Sequence, residues 1–382
     1  MYINDQEAGI YLHIPFCRKA CHYCNFHFST SLQSKEAYLL AMHSEIDARV
    51  GYTEGKIIRS IYFGGGTPSV LTADEISSLL AHIKQLHTVR ADAEVTLEAN
   101  PDDLSKPYIE SIHAAGINRL SIGVQSFIDH DLQWMNRTHT GSQAKQVITD
   151  AMLSGFEHMS ADLIYGIPGS SHEEWRSNIQ TLIALKVPHI SSYALTVEPK
   201  TALAHFIQTG KSEMPDEQLA AEQFEILRHM LIDAGYDHYE ISNFALPGHT
   251  AIHNSAYWAG YYYLGIGAAA HSYNGVSRQW NINNNALYIR YDKSGNEYYT
   301  IENLDMHQRM NERIMTALRT TRGLDLERFL SEFGEVYHNQ LTNEIRRLES
   351  AEKMIIENNI ARISPSHLFI ADSVISDLFF VD

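Results

Sequence analysis

The stretch GIYLHIPFCRKACHYC, residues 9–24, contains a short apolar run followed by every cysteine of the chain. The run at residues 9–14 predicts a buried strand, and the thiols of Cys17, Cys21 and Cys24 follow it on one loop with the spacing C-x3-C-x2-C. Soft thiolates are the ligands that iron–sulfur clusters take. Three thiolates serve three irons of a four-iron cluster and leave the fourth without a protein ligand. The stretch therefore predicts a cluster whose open iron can hold an exchangeable small molecule.

Two other interpretations of this loop stay open on the residues alone. The cysteines can be free buried thiols, although all of them lie within eight residues of one another. They can also bind zinc as a Cys3His site, with His13, His22 or His27 as the fourth ligand. Iron and sulfide analysis separates the cluster from zinc.

The bulk composition limits the classes of function. The 382 residues suffice for one large domain and a smaller one. The formal charge of −17 argues against nucleic-acid binding, which needs a basic surface. No apolar stretch approaches the length of a membrane span, and residues 1–6 are polar rather than the start of a signal peptide. An odd number of cysteines without a signal peptide fits a reducing compartment. We therefore expect a cytoplasmic protein without a transmembrane segment.

Strands and helices alternate through the first half of the chain. The predicted strands cover residues 9–14, 59–63, 94–98, 119–122, 159–164 and 190–195. Two helix starts show a capping-box pattern, one at Thr72 with Glu75 and one at Ser170 with Glu173. Such alternation predicts an α/β fold with parallel strands and right-handed crossovers. Six units are too few for a closed eight-unit barrel, so we expect a partial (β/α)6 barrel; an open doubly wound sheet is compatible with the same pattern. In both folds, functional groups gather at the carboxyl ends of the strands.

The second half of the chain reads differently. A helix is predicted over residues 216–233, a stretch rich in tyrosine, glycine and asparagine follows it, and the pattern becomes mainly helical from Met306 onward. We therefore predict three segments. They are a barrel at residues 1–235, a connecting region at residues 236–300 and a small, mainly helical C-terminal domain at residues 301–382.

Polar groups follow the predicted strands in order. Gly64-Gly65-Gly66-Thr67-Pro68 comes after the second strand, where glycine lets a ligand approach the backbone and exposes amides to an anionic group. Further polar side chains lie at or near later strand ends: Glu98, Gln125, Arg137 and Asp162. A carboxylate accepts from ribose hydroxyls, and an arginine pairs with a carboxylate through two parallel bonds. Together these residues predict one wall of a cofactor site.

A second distinctive motif is His253-Asn254-Ser255-Ala256-Tyr257-Trp258, with three tyrosines soon after it. A histidine beside flat aromatic rings offers an axial nitrogen and a stacking surface for a porphyrin. An ordinary aromatic core with one satisfied histidine explains the same residues. Both interpretations stay open on the residues alone.

Several motifs in fixed order make the chain recognisable. They are the cysteine loop, GGGTPS at 64–69, GVQSF at 123–127, NRTH at 136–139, DLIYGIPG at 162–169, YEISNFA at 239–245, HNSAYW at 253–258 and RGLDLERF at 322–329. The chain resembles the oxygen-independent coproporphyrinogen III oxidase-like branch of the radical S-adenosylmethionine (SAM) proteins. The resemblance implies a partial six-unit barrel followed by a small helical C-terminal domain, with a [4Fe–4S] cluster on the three cysteines and SAM on the open iron. It also implies SAM contacts at Tyr11, Tyr23, Gly65, Gly66, Thr67, Glu98, Gln125, Arg137, Asp162 and Ala194, and heme contacts at His253, Asn254, Tyr257 and Trp258.

Within that branch, the motif H-N-x-x-Y-W resembles that of heme chaperones. The decarboxylating oxidases carry a further cysteine two positions after the third one, where this chain has Phe26, and a longer N-terminal segment. The resemblance therefore implies a protein that binds heme and passes it to acceptor hemoproteins, with an electron donor for its cluster. The alternative is an enzyme that decarboxylates the propionate side chains of coproporphyrinogen III by radical chemistry.

Overall fold

A computed structural model describes residues 6–381 of the chain. Six strands form its parallel centre: β1 (Glu7–Ile14), β2 (Ile57–Gly65), β3 (Val89–Ala99), β4 (Arg119–Gln125), β5 (His158–Tyr165) and β6 (His189–Ala194). The helices that connect them are α1 (Lys35–Ala48), α2 (Ala73–Leu86), α3 (Lys106–Ala114), α4 (Asp129–Trp134), α5 (Gly141–Leu153) and α6 (His172–Ala184). The six strands are neighbours in chain order, and each successive pair is parallel. All six predicted strands are confirmed.

The next segment extends this sheet at both edges. It contains α7 (Ala202–Gln208), α8 (Glu217–Asp233), β7 (Asp237–Glu240), β8 (Asn243–Ala245), α9 (Ile252–Trp258), β9 (Tyr262–Ile266), β10 (His271–Tyr273), β11 (Ser277–Asn281), α10 (Asn285–Arg290) and β12 (Tyr299–Asn303). Strand β8 pairs with β6 and then with β7, both antiparallel. Strand β9 adds parallel to β1, and β10, β11 and β12 follow it antiparallel. The strand order runs from β12 to β7, so the sheet is an open, partial barrel as predicted.

Side chains of residues 236–298 pack into the same hydrophobic core as the parallel strands. Phe244, Leu264 and Tyr288 are buried in that core. Glu45 of α1 is fully buried and accepts hydrogen bonds from the Tyr288 hydroxyl at 2.5 Å and from the Gly267 amide at 2.8 Å. A buried carboxylate needs such donors, since burial without them is costly. These bonds tie α10 and the turn after β9 to the first helix of the barrel.

The C-terminal part forms a second core. It contains α11 (Met306–Leu318), β13 (Leu324–Asp325), α12 (Leu326–Phe333), α13 (Glu335–Ser350), β14 (Met354–Glu357), β15 (Ile360–Ile363) and α14 (Ala371–Ser376). Its buried side chains, from Met310 to Phe380, form a cluster of their own around a small antiparallel sheet. This part is mainly helical, as predicted. The segment boundaries at residues 235 and 300 stay predictions, and residues 1–5 and 382 of those segments lie outside the described residues.

The capping boxes give one confirmation and one correction. Thr72 caps α2, because its hydroxyl accepts from the Glu75 amide and Glu75 accepts from the Thr72 amide. The second box lies one residue later than predicted, at Ser171 and Glu174. Within residues 6–381, no helix is both long and apolar enough to cross a membrane.

Candidate functional site

The cysteine loop leaves the end of β1 and is closed at its base by backbone hydrogen bonds. The Cys17 amide donates to the Ser29 carbonyl at 3.0 Å, and the Ser29 amide donates to the Pro15 carbonyl at 2.8 Å. Phe16 is fully buried and packs edge-on against Tyr38 of α1, with ring centroids 5.4 Å apart. The first cysteine is therefore fixed to the core, while Cys21 and Cys24 are half-buried further along the loop.

Two hydrogen-bond donors point at the sulfurs of this loop. The Thr67 hydroxyl, just after β2, donates to Cys17 Sγ at 3.3 Å. The Arg137 guanidinium, which follows α4, donates to Cys21 Sγ at 3.4 Å. Burial raises the pKa of the Cys17 thiol to about 11 and raises that of Cys24. A positive metal centre must therefore displace protons from these thiols. Hydrogen bonds to sulfur also tune the potential of an iron–sulfur cluster.

The histidines considered as zinc ligands differ in how many ring nitrogens they use. His13 uses both: it accepts from the Tyr11 hydroxyl at 3.3 Å and donates to the His27 carbonyl at 3.0 Å. His22 Nδ1 donates to the Trp134 carbonyl at 2.8 Å, and His27 Nε2 donates to the Asn285 side chain at 2.7 Å. These bonds exclude His13 as a fourth ligand and leave one ring nitrogen each on His22 and His27.

The donor chemistry fits an iron–sulfur cluster. Within residues 6–381, no group of three or more histidine, cysteine, aspartate or glutamate side chains is arranged to hold a single metal ion. A four-iron cluster takes one thiolate per iron, so its ligands need not converge on one point. Three soft donors on one loop, with Thr67 and Arg137 directed at two of the sulfurs, match that requirement.

The glycines at the end of β2 pack against the cysteine loop. Gly66 packs so closely on the cysteine loop that a Cβ would lie 2.9 Å from backbone atoms of Ile14 and Phe16. The amides of Gly66 and Thr67 donate to the Ile14 and Phe16 carbonyls, and the Gly65 amide donates to Glu98 at 3.1 Å. The prediction of amides exposed to an anion is therefore wrong. These glycines hold the cysteine loop against β2.

Two half-buried carboxyl groups lie on neighbouring parts of the sheet, one near the end of β3 and one within β5. Glu98 on β3 accepts from the Tyr62 hydroxyl at 2.8 Å, and burial raises the pKa of its carboxyl. Asp162 on β5 accepts from Ser121 at 3.4 Å. Burial, followed by the charge of Glu98, raises the pKa of Asp162 to about 7. Carboxyl groups whose pKa is raised by their surroundings are typical of functional sites, where they can bind a cation or accept from hydroxyl groups.

Arg137 joins the cysteine loop to the ends of β3 and β4. Its guanidinium donates to the Asn100 side chain at 2.7 Å and to the Gly123 carbonyl at 2.6 Å, besides Cys21. Gln125, at the end of β4, has a φ of 67°, a conformation that only a few per cent of residues other than glycine adopt. Such strain is typical of functional positions. Tyr23 lies near Arg137, and burial raises the pKa of its hydroxyl. Ala194 is the last residue of β6 and pairs with Tyr165 of β5.

The helix α9 carries the predicted heme motif and is held by two polar residues. Glu94 of β3 accepts from the amides of Ile252 and His253 at 2.9 and 2.8 Å. Ser60 of β2 lies 2.9 Å from His253 Nδ1. Burial lowers the pKa of His253 to about 4, so the imidazole is neutral at physiological pH. A neutral imidazole with one nitrogen hydrogen-bonded presents the other nitrogen to a metal.

One cavity, of about 810 Å³, joins the two halves of the site. Tyr11, Glu98, His253, Asn254 and Tyr257 all line it. Three of its rings pack together: the centroids are 6.0 Å apart between Tyr11 and Tyr62, 4.9 Å between Tyr62 and His253, and 6.4 Å between Tyr11 and His253. Cavities of about 300–1,000 Å³ are the size of cofactor sites.

Trp258 is not brought to this cavity. It packs edge-on against Tyr257 with centroids 4.8 Å apart, and the Arg319 guanidinium lies 5.0 Å from its ring centre. It lines a separate, smaller cavity with Tyr239 and Thr320. The structure therefore places Trp258 behind Tyr257, and its contact with heme stays a prediction. Phe26, the residue at the position of the oxidase's further cysteine, lines the large cavity and is 67% exposed.

Sequence reasoning missed Ser60, Tyr62, Glu94 and Arg278, which all contribute to the walls or support of the site. None of them lies in a recognisable motif. Ser60 and Glu94 are polar residues inside predicted strands, and this local inconsistency is the one signal that the sequence offered.

Comparisons with known proteins agree with this geometry. Residues 11–182 match the family model of the radical SAM superfamily, and residues 304–369 match that of the HemN C-terminal domain. Coproporphyrinogen III oxidase (HemN) from Escherichia coli, a radical SAM enzyme, shares the fold. Its structure has a TM-score of 0.85 and 22% identity, covering 98% of this chain and 90% of that one. Fold and cysteine loop together define a radical SAM protein, a superfamily that implies SAM and a [4Fe–4S] cluster.

Curated relatives identify the family within this superfamily. The heme chaperone HemW from Mycobacterium tuberculosis is 37% identical over 281 residues, 72% of each chain. The heme chaperone HemW from Bacillus subtilis is 34% identical over 360 residues, 94% of each chain. The chain belongs to the family of the heme chaperone HemW.

Proposed function

We propose that this protein binds heme in the large cavity, with His253 as axial ligand, and passes it to acceptor hemoproteins in the cytoplasm. The observation that carries the proposal is that His253 lines the same cavity as Tyr11 and Glu98, two of the predicted SAM contacts. Cargo and cofactor would then meet at one place. The names of the curated relatives support the cargo.

His253 has the properties that an axial ligand needs. Its imidazole is half-buried and neutral at physiological pH, so iron has no proton to displace. Ser60 accepts from Nδ1 in the tautomer that leaves Nε2 for iron, and such a bond fixes the ring and raises its basicity. Tyr62 stacks on one side of the imidazole. Asn254, Tyr257 and Phe26 lie around the cavity and are the proposed contacts for the porphyrin.

Cys17, Cys21 and Cys24 are the proposed ligands of the [4Fe–4S] cluster. The proposed SAM contacts are Tyr11, Tyr23, Gly65, Gly66, Thr67, Glu98, Gln125, Arg137, Asp162 and Ala194. When bound, the cluster and SAM supply one-electron chemistry, for which an electron donor is needed. The chain's own residues bind and orient: Arg137 and Thr67 donate to sulfurs, and the acids Glu98 and Asp162 offer acceptors to hydroxyl and cationic groups.

The test is a transfer experiment with oxygen-free, cluster-loaded protein. Heme is titrated into wild type and His253→Ala, and the loaded protein is mixed with an apo-hemoprotein. We expect wild type to bind and release heme, and His253→Ala to bind it at least tenfold more weakly with unchanged cluster absorbance. A matched control is His229→Ala, since His229 is 74% exposed on α8. Equal heme binding in all three proteins contradicts the axial assignment.

Two further measurements separate the alternatives. Cys21→Ser should lose the cluster, because three thiolates are its whole protein ligation, and iron and sulfide should disappear together. Zinc without sulfide in wild type would replace the cluster by a Cys3His site. Vinyl product from coproporphyrinogen III with reductant and SAM would replace the chaperone by the oxidase.

A further inference from the structure

Another cavity, of about 230 Å³ and distinct from the one that Trp258 lines, adjoins the large cavity. The two cavities share Tyr257, Tyr263 and Arg278, so these residues form the wall between them. Arg309 of α11 lines the smaller cavity.

Arg278, on β11, is the cation of this wall. Among the described residues that line the large cavity, no other is a lysine or arginine. Its guanidinium donates from Nη1 to the Tyr263 hydroxyl at 3.2 Å and from Nε to Glu312 of α11 at 2.8 Å. A second bond joins Nη2 to the same carboxylate. The Arg278 side chain is 18% exposed, so the charge is largely shielded from water.

The register of the sheet relates Arg278 to His253. Gly9 pairs with Tyr263, Tyr263 with Tyr273, and Tyr273 with Arg278, so these four residues form one row across β1, β9, β10 and β11. The imidazole of His253 lies over Gly9, where a Cβ would be 3.4 Å from the ring. Three strand spacings of about 4.8 Å put the Arg278 backbone roughly 14 Å away along the row. Its guanidinium lies 5.2 Å from the Tyr273 ring centre and donates to the Tyr263 hydroxyl, so the side chain runs back along the row toward Gly9.

Resting on the proposed function, we propose that Arg278 binds a propionate carboxylate of heme, with Arg309 beside it. The iron of heme lies at the centre of the porphyrin, and both carboxylates lie at one edge of it. A histidine over Gly9 and an arginine at the other end of the same row of the sheet match that spacing. A carboxylate entering a buried cavity needs a charged partner, and the fork of arginine fits it through two bonds. The formal charge of −17 means that the chain as a whole repels an anion, so a local cation must supply the attraction.

Glu312 then acts as an internal competitor. It holds two donors of Arg278 in the structure, and an entering propionate must share or take them. Competition of this kind weakens the hold on the cargo and assists its release to an acceptor.

The experiment compares iron protoporphyrin IX with its dimethyl ester, which has no free carboxylates. Both are titrated into cluster-loaded wild type, Arg278→Gln and Glu312→Gln. A bond to a charged group corresponds to about tenfold in affinity, so wild type should prefer the free acid by about tenfold or more. Arg278→Gln should lose that preference while keeping the affinity for the ester. Glu312→Gln should bind the free acid more tightly than wild type does and leave the ester unchanged.

The outcomes distinguish this inference from the proposed function. The matched control is Arg347→Gln, an arginine of α13 that is 63% exposed and paired with Glu344. If wild type binds neither ligand, the proposed function fails. If wild type binds both equally, or Arg278→Gln weakens both equally, the anchoring role is overturned while heme binding stands. Should Arg278→Gln fold poorly by circular dichroism, an unchanged acid-to-ester ratio in Glu312→Gln overturns the proposal by itself.

Discussion

Replacement of Glu94 by glutamine should weaken heme binding although Glu94 does not itself line the cavity. Glu94 caps α9 by accepting from the amides of Ile252 and His253 at 2.9 and 2.8 Å. The helix has seven residues, none of them fully buried, so its own packing holds it weakly. The carboxylate is therefore a main support of the histidine that is proposed to bind iron.

The magnitude follows from the bonds that are lost. A hydrogen bond to a charged acceptor contributes about 1.5–3 kcal/mol. Glutamine offers one carbonyl oxygen instead of two carboxylate oxygens, so one amide loses its partner and the other keeps a weaker bond. If α9 then leaves its place for part of the time, the apparent affinity falls by the fraction that stays competent. We expect heme to bind about tenfold more weakly, which corresponds to about 1.4 kcal/mol. Glutamine is preferable to alanine because Arg119, 3% exposed, lies 3.9 Å from Glu94 and keeps a polar neighbour.

The assay is heme titration by difference absorbance, together with the spectral signature of histidine ligation. Cluster absorbance should not change. Asp92→Asn is the matched control, because Asp92 lies on the same strand, 72% exposed, and pairs with Arg90 at the surface. A heme affinity of Glu94→Gln within a factor of two of wild type would refute the argument that this cap positions His253.

Three further predictions concern pH and packing. Burial lowers the pKa of His253 to about 4, so heme affinity should be constant from pH 8 to pH 6 and fall toward pH 4. Heme titrations at four pH values check this, and a fall in affinity already near pH 6.5 would contradict it. Since the pKa of Asp162 is raised to about 7, its carboxylate form grows as the pH rises. SAM affinity should therefore increase by up to about tenfold from pH 6 to pH 8 and become flat in Asp162→Asn, read from the effect of SAM on the cluster's paramagnetic resonance. Gly66→Ala places a methyl group 2.9 Å from the backbone of Phe16, so the iron content should fall while heme binding persists. Gly51→Ala, with no heavy atom within 4 Å, should incorporate iron like wild type.

Tyr62 joins the proposed cofactor contact Glu98 to the proposed axial ligand His253. Its hydroxyl donates to Glu98 at 2.8 Å, and its ring stacks on the imidazole with centroids 4.9 Å apart. Tyr11 contacts both rings, at 6.0 Å from Tyr62 and 6.4 Å from His253. If heme and SAM bind as proposed, one side chain therefore separates them.

The sequence by itself determined the parallel strands, the cysteine loop and the cap of α2. Strands that are buried on both faces are apolar runs, so their positions follow from composition alone. The cysteine spacing and the Thr72 cap are local, since each joins residues a few positions apart. Where two local matches compete, the sequence could not choose. Ser170 with Glu173 and Ser171 with Glu174 fit a capping box equally well, and the turn in which the Ser170 amide donates to Ile167 selects the second.

The tertiary structure decided the far side of the site. Residues His253 and Tyr257 are four positions apart and face the cavity together, whereas Trp258 lies roughly 100° further around the helix and packs elsewhere. Arg278 meets Glu312 across the boundary between the sheet and the C-terminal domain, and Ser60 meets His253 across 193 residues of chain. The sequence around each of these residues does not indicate its partner, because the order and register of the strands set the distance between them.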